Sequence, residues 1–331
     1  MKKLSVYTIS LIMLILSSGS LQGQDSTAYV PKGQIYGDLF LNTNYNFDSG
    51  QTSFRLNRLH FAYKYNFNDN LYFNGMIESA REDYDPNTDY NGITNLFEFC
   101  LGFKLNKLQG RFGLISTELN QQQQELWTFR YVDKVFADKY GFAPTNDFGF
   151  IVIYKPVDAV QIDFSMVNGE GHKNFQIDST QRYSLGLSFK PYNKFVARIY
   201  SDVQFFGSLQ QTNLIGILGY HTEALYIGTE WNQQFNSNRT VGYQKSGISA
   251  YLSFNITKDY QFFSRYDFVQ SNKPAGMPDP WNLTNDGSLA IVGLQYILTK
   301  QISLAIDYRG TISEKDNKTH SYIFFDTQLT F

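Results

Sequence analysis

The chain has 331 residues, 28 Lys and Arg against 30 Asp and Glu, 17% aromatic residues and a single cysteine, Cys100. A balance this close to neutral leaves no electrostatic footprint for nucleic acid, and one cysteine cannot close an internal disulfide. Mean hydropathy is −0.33 and no long apolar run follows residue 24, which excludes a helical membrane protein.

The N-terminus reads as an export signal. Lys2 and Lys3 precede an apolar core from Val6 to Leu16, and Ser17, Ser18, Gly19, Ser20 and Gly23 then supply small residues. That core is shorter than the ~20 residues needed to span a bilayer. Cleavage is therefore expected near Gly23, giving a signal peptide at 1–23 and a mature chain at 24–331 with 26 basic residues against 30 acidic. No cysteine follows the core to carry a lipid anchor.

Strand patterns then run almost without interruption. Sixteen are predicted, at 34–46, 52–66, 70–81, 93–105, 108–117, 147–155, 158–168, 181–190, 193–206, 211–221, 223–233, 245–257, 259–270, 287–299, 301–312 and 319–331. The period is two. Phe97, Phe99, Leu101 and Phe103 oppose Glu98, Cys100, Gly102 and Lys104, and Ile162, Phe164 and Met166 oppose Asp163 and Ser165. The links sort by length. Asn66–Asn70, Leu105–Leu108, Lys155–Asp158, Lys190–Asn193, His221–Glu223, Thr257–Asp259 and Thr299–Gln301 are short, whereas intervening links such as Asp83–Gly92, Asn168–Thr180 and Asn272–Gly287 are mostly longer. Short turns at one end and long loops at the other are expected of a transmembrane barrel. About sixteen strands enclose a lumen too wide for wall side chains to fill.

One long link breaks the rhythm, from Glu118 to Asn146. Trp127, Tyr131, Val132, Val135, Phe136 and Tyr140 recur there at helical spacing, and Gly141 follows as a stop. The spacing predicts an amphipathic helix over about 121–140, which either caps the barrel outside or folds inward with its aromatic face on the wall, the inward position being the one expected. Arg130 and Lys134 are then the expected cations of a constriction, opposed by Asp133 and Asp138. Simple pairing of Arg130 with Asp133 and Lys134 with Asp138 along the helix is the alternative.

The last segment, Ser321–Phe331, alternates to its end. Ile323, Phe325, Leu329 and Phe331 fall on one face, and Tyr322, Phe324, Asp326, Gln328 and Thr330 on the other. In a closed barrel such a strand has to pair with the first one.

These stretches carry a family resemblance. Trp127-x-x-Arg130-Tyr131-Val132-x-Lys134-x-Phe136-x-Asp138-x-Tyr140-Gly141-Phe142, followed by Asp147-Phe148-Gly149, resembles the corresponding region of porins related to the phosphate-selective O/P family. Arg55-x-x-Arg58 and the aromatic C-terminus are similar in kind. The resemblance implies a sixteen-stranded porin of the Gram-negative outer membrane, commonly a homotrimer, surrounded by outer-membrane lipid and passing small hydrophilic solutes or ions by diffusion. It also implies that the barrel-insertion machinery reads Ser321–Phe331. The basic ladder of that family is not matched. With polar faces turned inward, the wall carries Arg58, Lys64, Lys104, Arg111, Lys190, Arg198, Arg265 and Arg309 against Glu78, Glu98, Asp163, Asp202, Glu230, Asp267, Asp307 and Asp326. His60 joins them on the polar face of the second strand. An even mixture predicts weak ion selectivity.

Enzyme chemistry is not legible. His60, His172, His221 and His320 are the only histidines, and neither G-x-S-x-G nor H-E-x-x-H occurs. Asp83, Asp85, Asn87, Asp89 and Asn91 alternate as calcium ligands can, but the glycine and final glutamate of an EF-hand loop are missing, and a solvated loop is expected. No metal and no cofactor is predicted. The reading is an all-β, transmembrane antiparallel barrel of about sixteen strands with a helix-containing long third extracellular loop. Its expected function is a porin, with an adhesin or structural barrel with a plugged lumen, or a barrel enzyme, as the alternatives.

Overall fold

A computed structural model describes residues 33–80 and 93–331, apart from Phe175, Ile177 and Asp178. The expected signal peptide at 1–23 and the acidic loop Asp83–Asn91 lie outside the described residues.

The strands are those the alternation predicts, with small shifts at the ends. The first four are β1 (Gly33–Asn46), β2 (Gln51–Asn66), β3 (Leu71–Ala80) and β4 (Ile93–Leu105). Next come β5 (Leu108–Ser116), β6 (Asn146–Val157), β7 (Val160–Val167) and β8 (Arg182–Phe189). The second half holds β9 (Phe195–Phe206), β10 (Leu209–His221), β11 (Leu225–Phe235) and β12 (Gln244–Asn255). The last are β13 (Tyr260–Ser271), β14 (Gly287–Ile297), β15 (Ile302–Ser313) and β16 (Thr319–Thr330). Each pairs antiparallel with its neighbours in sequence, and β16 returns to β1, closing a sixteen-stranded transmembrane barrel. Closure leaves no strand edge with unsatisfied backbone groups, as a lipid environment requires. At the seam the Phe331 N–H donates to the Gly37 carbonyl at 3.0 Å, and the Gly37 N–H to the Phe331 carbonyl at 2.9 Å.

Alternation sets the two faces. Ile162 and Phe164 stand 38% and 41% exposed on the lipid side, while Asp163 and Ser165 between and beyond them are buried inside. Seven links at one end stay short, such as 106–107 and 158–159. In the first of these Asn106 takes a positive φ of 49°, the geometry a two-residue hairpin turn requires. The other end carries the long links 81–92, 117–145, 168–181 and 272–286, together with shorter ones such as 207–208. These ends are called the turn side and the loop side below.

Among the described residues, bulges interrupt the simple alternation in β2, in β4 and in β6 between Tyr154 and Val157. Phe97 was expected on the outer face with Phe99. A register shift opposite Met76 and Ile77 inserts it as an extra residue, and it turns inward, 7% exposed, with its ring 4.6 Å from that of His60. One inserted residue changes the face of what precedes it. A second bulge lies in β2, where Leu56 pairs with Leu41 but Arg58 pairs with Phe40. Arg55, three residues before Arg58, would otherwise sit on the opposite face. Its register with Asn42, a buried inward residue, places both arginines on the lumen side.

Candidate constriction site

The link between β5 and β6 folds into the barrel. It contains two helices instead of one: α1 (Glu118–Leu126) and a single turn, α2 (Phe136–Lys139), joined by turns through 127–135. The continuous helix expected at 121–140 does not form. Thr117 caps α1 by accepting the Asn120 N–H at 3.3 Å. Gly141 adopts a positive φ of 62° after α2, the stop its position predicts.

The apolar residues of this loop nevertheless meet the wall as their spacing suggested. Trp127, Phe129, Tyr131, Val132, Val135, Phe136 and Phe142 are all buried in one cluster with wall residues Tyr200, Tyr251, Phe263 and Ile291. Phe129 stacks on Phe263 at 4.4 Å, and Trp127 lies 5.5 Å from Tyr251. At ~1.5–3 kcal/mol for each fully buried large apolar side chain, this contact is the main force holding the loop inward. Gly228 on β11 makes room for α1, since a Cβ there would lie 2.2 Å from a Leu126 methyl.

Polar anchors fix the orientation. Gln123 donates to Glu230, and Tyr131 donates to Gln295 Oε1 at 2.6 Å. Lys245 Nζ donates to the carbonyls of Tyr140 and Gly141, at 2.7 and 2.9 Å. The Phe142 carbonyl accepts from Asn213 and Gln234. The inner face of the later strands is thereby covered, with Asn213, Asn232, Asp267 and Asp326 at 0% exposure.

The charged side of the loop pairs differently from either expectation. Arg130 pairs with Asp138 at 2.8 Å, and Asp133 with Lys139 at 2.8 Å. Lys139 was not singled out in the sequence. Lys134, expected as a pore-facing cation or, in the alternative, as the partner of Asp138, is exposed and contributes its backbone carbonyl to Arg265 Nη1 at 2.5 Å. Without a continuous helix, four-residue spacing no longer brings side chains together. Burial, then the facing Arg58, push the Arg130 pKa down to about 9, still charged at neutral pH, while Asp138, Asp133 and Glu78 oppose the shift. Burial would raise Asp133, but Lys139, Arg265 and Arg309 outweigh it and hold the carboxyl below its usual range. Arg130 is thus within electrostatic reach of Arg58 and Glu78 on β2 and β3.

Most wall charges are ion-paired. Glu78 holds Arg58 and His60, both at 3.0 Å, and His172 from the 168–181 link approaches it at 3.8 Å. Asp163 takes both terminal nitrogens of Arg198, at 2.7 and 2.9 Å. Arg265 is paired with Asp267, and Arg309 with Asp307 and Asp326. Arg111 meets Glu118 of α1 at 3.3 Å, and Lys190 meets Glu125 at 2.5 Å. Asp202 pairs with Arg182, which sequence reasoning left out, at 2.7 Å. Glu230 is buried, accepting from Gln123, Asn232 and Tyr251. Glu98 accepts from Asn74 at 2.9 Å. Lys64 and Lys104 lie over the ring of Tyr72 near the turn side, 5.0 and 5.9 Å from its centroid. Glu118, Glu125, Lys139, His172 and Arg182 are among the participants the sequence did not announce. Only Arg182 lay on a predicted strand, where its face could have been read.

Fold and loop together define a barrel of porin architecture. No protein-family description matches the sequence, and no curated protein does either. Solved structures match along nearly the whole chain. The outer-membrane channel DcaP of Acinetobacter baumannii superposes with a TM-score of 0.65 at 13% identity, covering 94% of this chain and 100% of that one. OmpF of Salmonella typhi gives a TM-score of 0.68 at 10% identity, covering 90% and 97%. The anion-selective porin of Comamonas acidovorans gives 0.66 at 9% identity, covering 91% and 100%. Identities this low speak for a shared fold.

Proposed function

We propose that this chain is a passive diffusion channel of the Gram-negative outer membrane, admitting small hydrophilic solutes or ions with weak selectivity. One observation carries the reading. The third loop covers the inner wall of the later strands with apolar side chains and turns Arg130, paired with Asp138, toward Arg58 and Glu78, while Asp133, paired with Lys139, lies within electrostatic reach of Arg265 and Arg309. Fixed charges of both signs beside a narrow path act on an ion where its hydration is most restricted. The pairing of the wall charges supports weak preference between small ions. Export with loss of residues 1–23, and insertion through Ser321–Phe331, complete the proposal. A homotrimer is supported by OmpT of Vibrio cholerae, one of the matching structures, which is described in a trimer form.

A second reading, a barrel closed by its own loop, is favoured by the near-complete burial of the inner face on β10 to β13. Single-channel recording in planar bilayers separates the two. Discrete conductance steps support the channel, and a correctly folded barrel that never conducts sinks it.

A further inference from the structure

The wall charges do not cancel place by place. Toward the turn side, a polar cavity of about 170 Å³ lies between α1 and the wall of β3 to β8. By liquid volume that is room for roughly six waters, about the bulk of one small sugar. Amides supply much of its lining, from Gln109 and Gln161 on the wall and Gln121 and Gln122 on α1. Arg111, Lys155 and Lys190 supply positive charge.

The charge balance selects the sign. Of the two carboxylates in the lining, Glu118 is engaged by Arg111, Gln122 and Gln161, and Glu125 by Lys190. Lys155 is exposed and pairs with no carboxylate among the described residues. Nor do Lys64 and Lys104, which sit over Tyr72, itself part of the lining. Tyr72 is placed there by Gly102, where a Cβ would lie 2.1 Å from its ring.

Building on the channel reading, we propose that this cavity is a binding site for a hydroxyl-bearing anion of monosaccharide size, such as a sugar acid. The amides take its hydroxyls, and Lys155, backed by Lys104 and Lys64, takes its charge. The site lies off the third loop's charged edge, so it retains one class of solute without imposing a strong preference on small ions.

The test uses the mature protein in planar bilayers, with glucuronate, glucose or inorganic phosphate added on the turn side. Glucuronate should interrupt the current at a concentration at least tenfold below that needed for glucose or phosphate. In Lys155→Gln, block measured against that variant's own open current should need at least threefold more glucuronate, with glucose unchanged. Equal block by glucuronate and glucose removes the role of charge, and equal block by phosphate removes that of the hydroxyls. Either result overturns the proposal, as does an unaltered Lys155→Gln. Calorimetry on the detergent-solubilised protein reads the same site without current. Glucuronate binding by a silent barrel would keep the site and sink the channel, whereas conductance without block or heat would do the reverse.

Discussion

The β1–β16 seam and the loop at 117–145 both bring together parts of the chain far apart in sequence, but different forces do the work. At the seam the contact is a ladder, with Leu39 opposite Leu329 and Asn44 opposite Phe324 in continuous register. Backbone groups make it, and in lipid each one left unpaired costs several kcal/mol. The loop has no ladder to join. It is held by aromatic burial against Tyr251 and Phe263 and by single side-chain anchors such as Gln123 to Glu230. A seam is therefore all-or-none, while a loop docked by side chains can be loosened one contact at a time.

The comparison breaks most severely at the seam. Deleting residues 327–331 removes the pairing of Asp38 to Leu41 with β16 and the two hydrogen bonds between Phe331 and Gly37. Assembly should be lost, read as disappearance of the heat-modifiable folded band on gels. A normally folded truncation would show that closure does not depend on this ladder. Deleting 121–140 should leave the barrel assembled and raise single-channel conductance several-fold. Unchanged conductance in a folded deletion variant would mean that the loop does not obstruct the path.

A finer probe is Trp127→Ala. Truncating a buried aromatic of this size costs ~3–5 kcal/mol, and here the cost falls on the docking of the loop, not on the ladder. Open-channel noise and protease cleavage within 121–140 should both increase while the folded band persists. Next in size is Glu78→Gln, which leaves Arg58 facing Arg130 without the carboxylate that pairs with it. Reversal potentials in a salt gradient, weakly selective in the wild type, should move toward anions. No movement would place this cluster away from the solute path.

The smallest effect concerns pH. Asp133 is held below its usual range, so its pairing with Lys139 is fully present above the unfolded value near ~3.9 and is lost as pH falls through the lower folded value. Lowering the pH from 7 to about 3, below the ordinary Asp value, should leave the Asp133→Asn variant and the wild type still offset in conductance. A difference that closes at pH ~3.9 would mean that this carboxyl is not depressed.

Much of this molecule is decided locally. Strand alternation reports directly which face meets lipid, because neighbouring side chains on a strand point opposite ways. That is why Ile162 and Phe164 could be placed outside and Asp163 inside from the residues alone, and why the strand number and the third loop's apolar set were legible. Three things were not. Bulges depend on the partner strand, so the inward turn of Phe97 and the shared face of Arg55 and Arg58 appear only in the paired register. The break between α1 and α2 exists because burying Trp127 and Phe129 on the curved inner wall outweighs helical propensity, which is worth at most ~1 kcal/mol per non-proline residue. Charge partners such as Arg58 with Glu78 and Arg111 with Glu118 come from neighbouring strands and from the folded loop. Which charges a strand carries is a property of the sequence. Where those signs cancel, and where Lys155, Lys104 and Lys64 remain beside a cavity, is settled only once the barrel has closed around its loop, because pairing depends on distances that no spacing along the chain encodes.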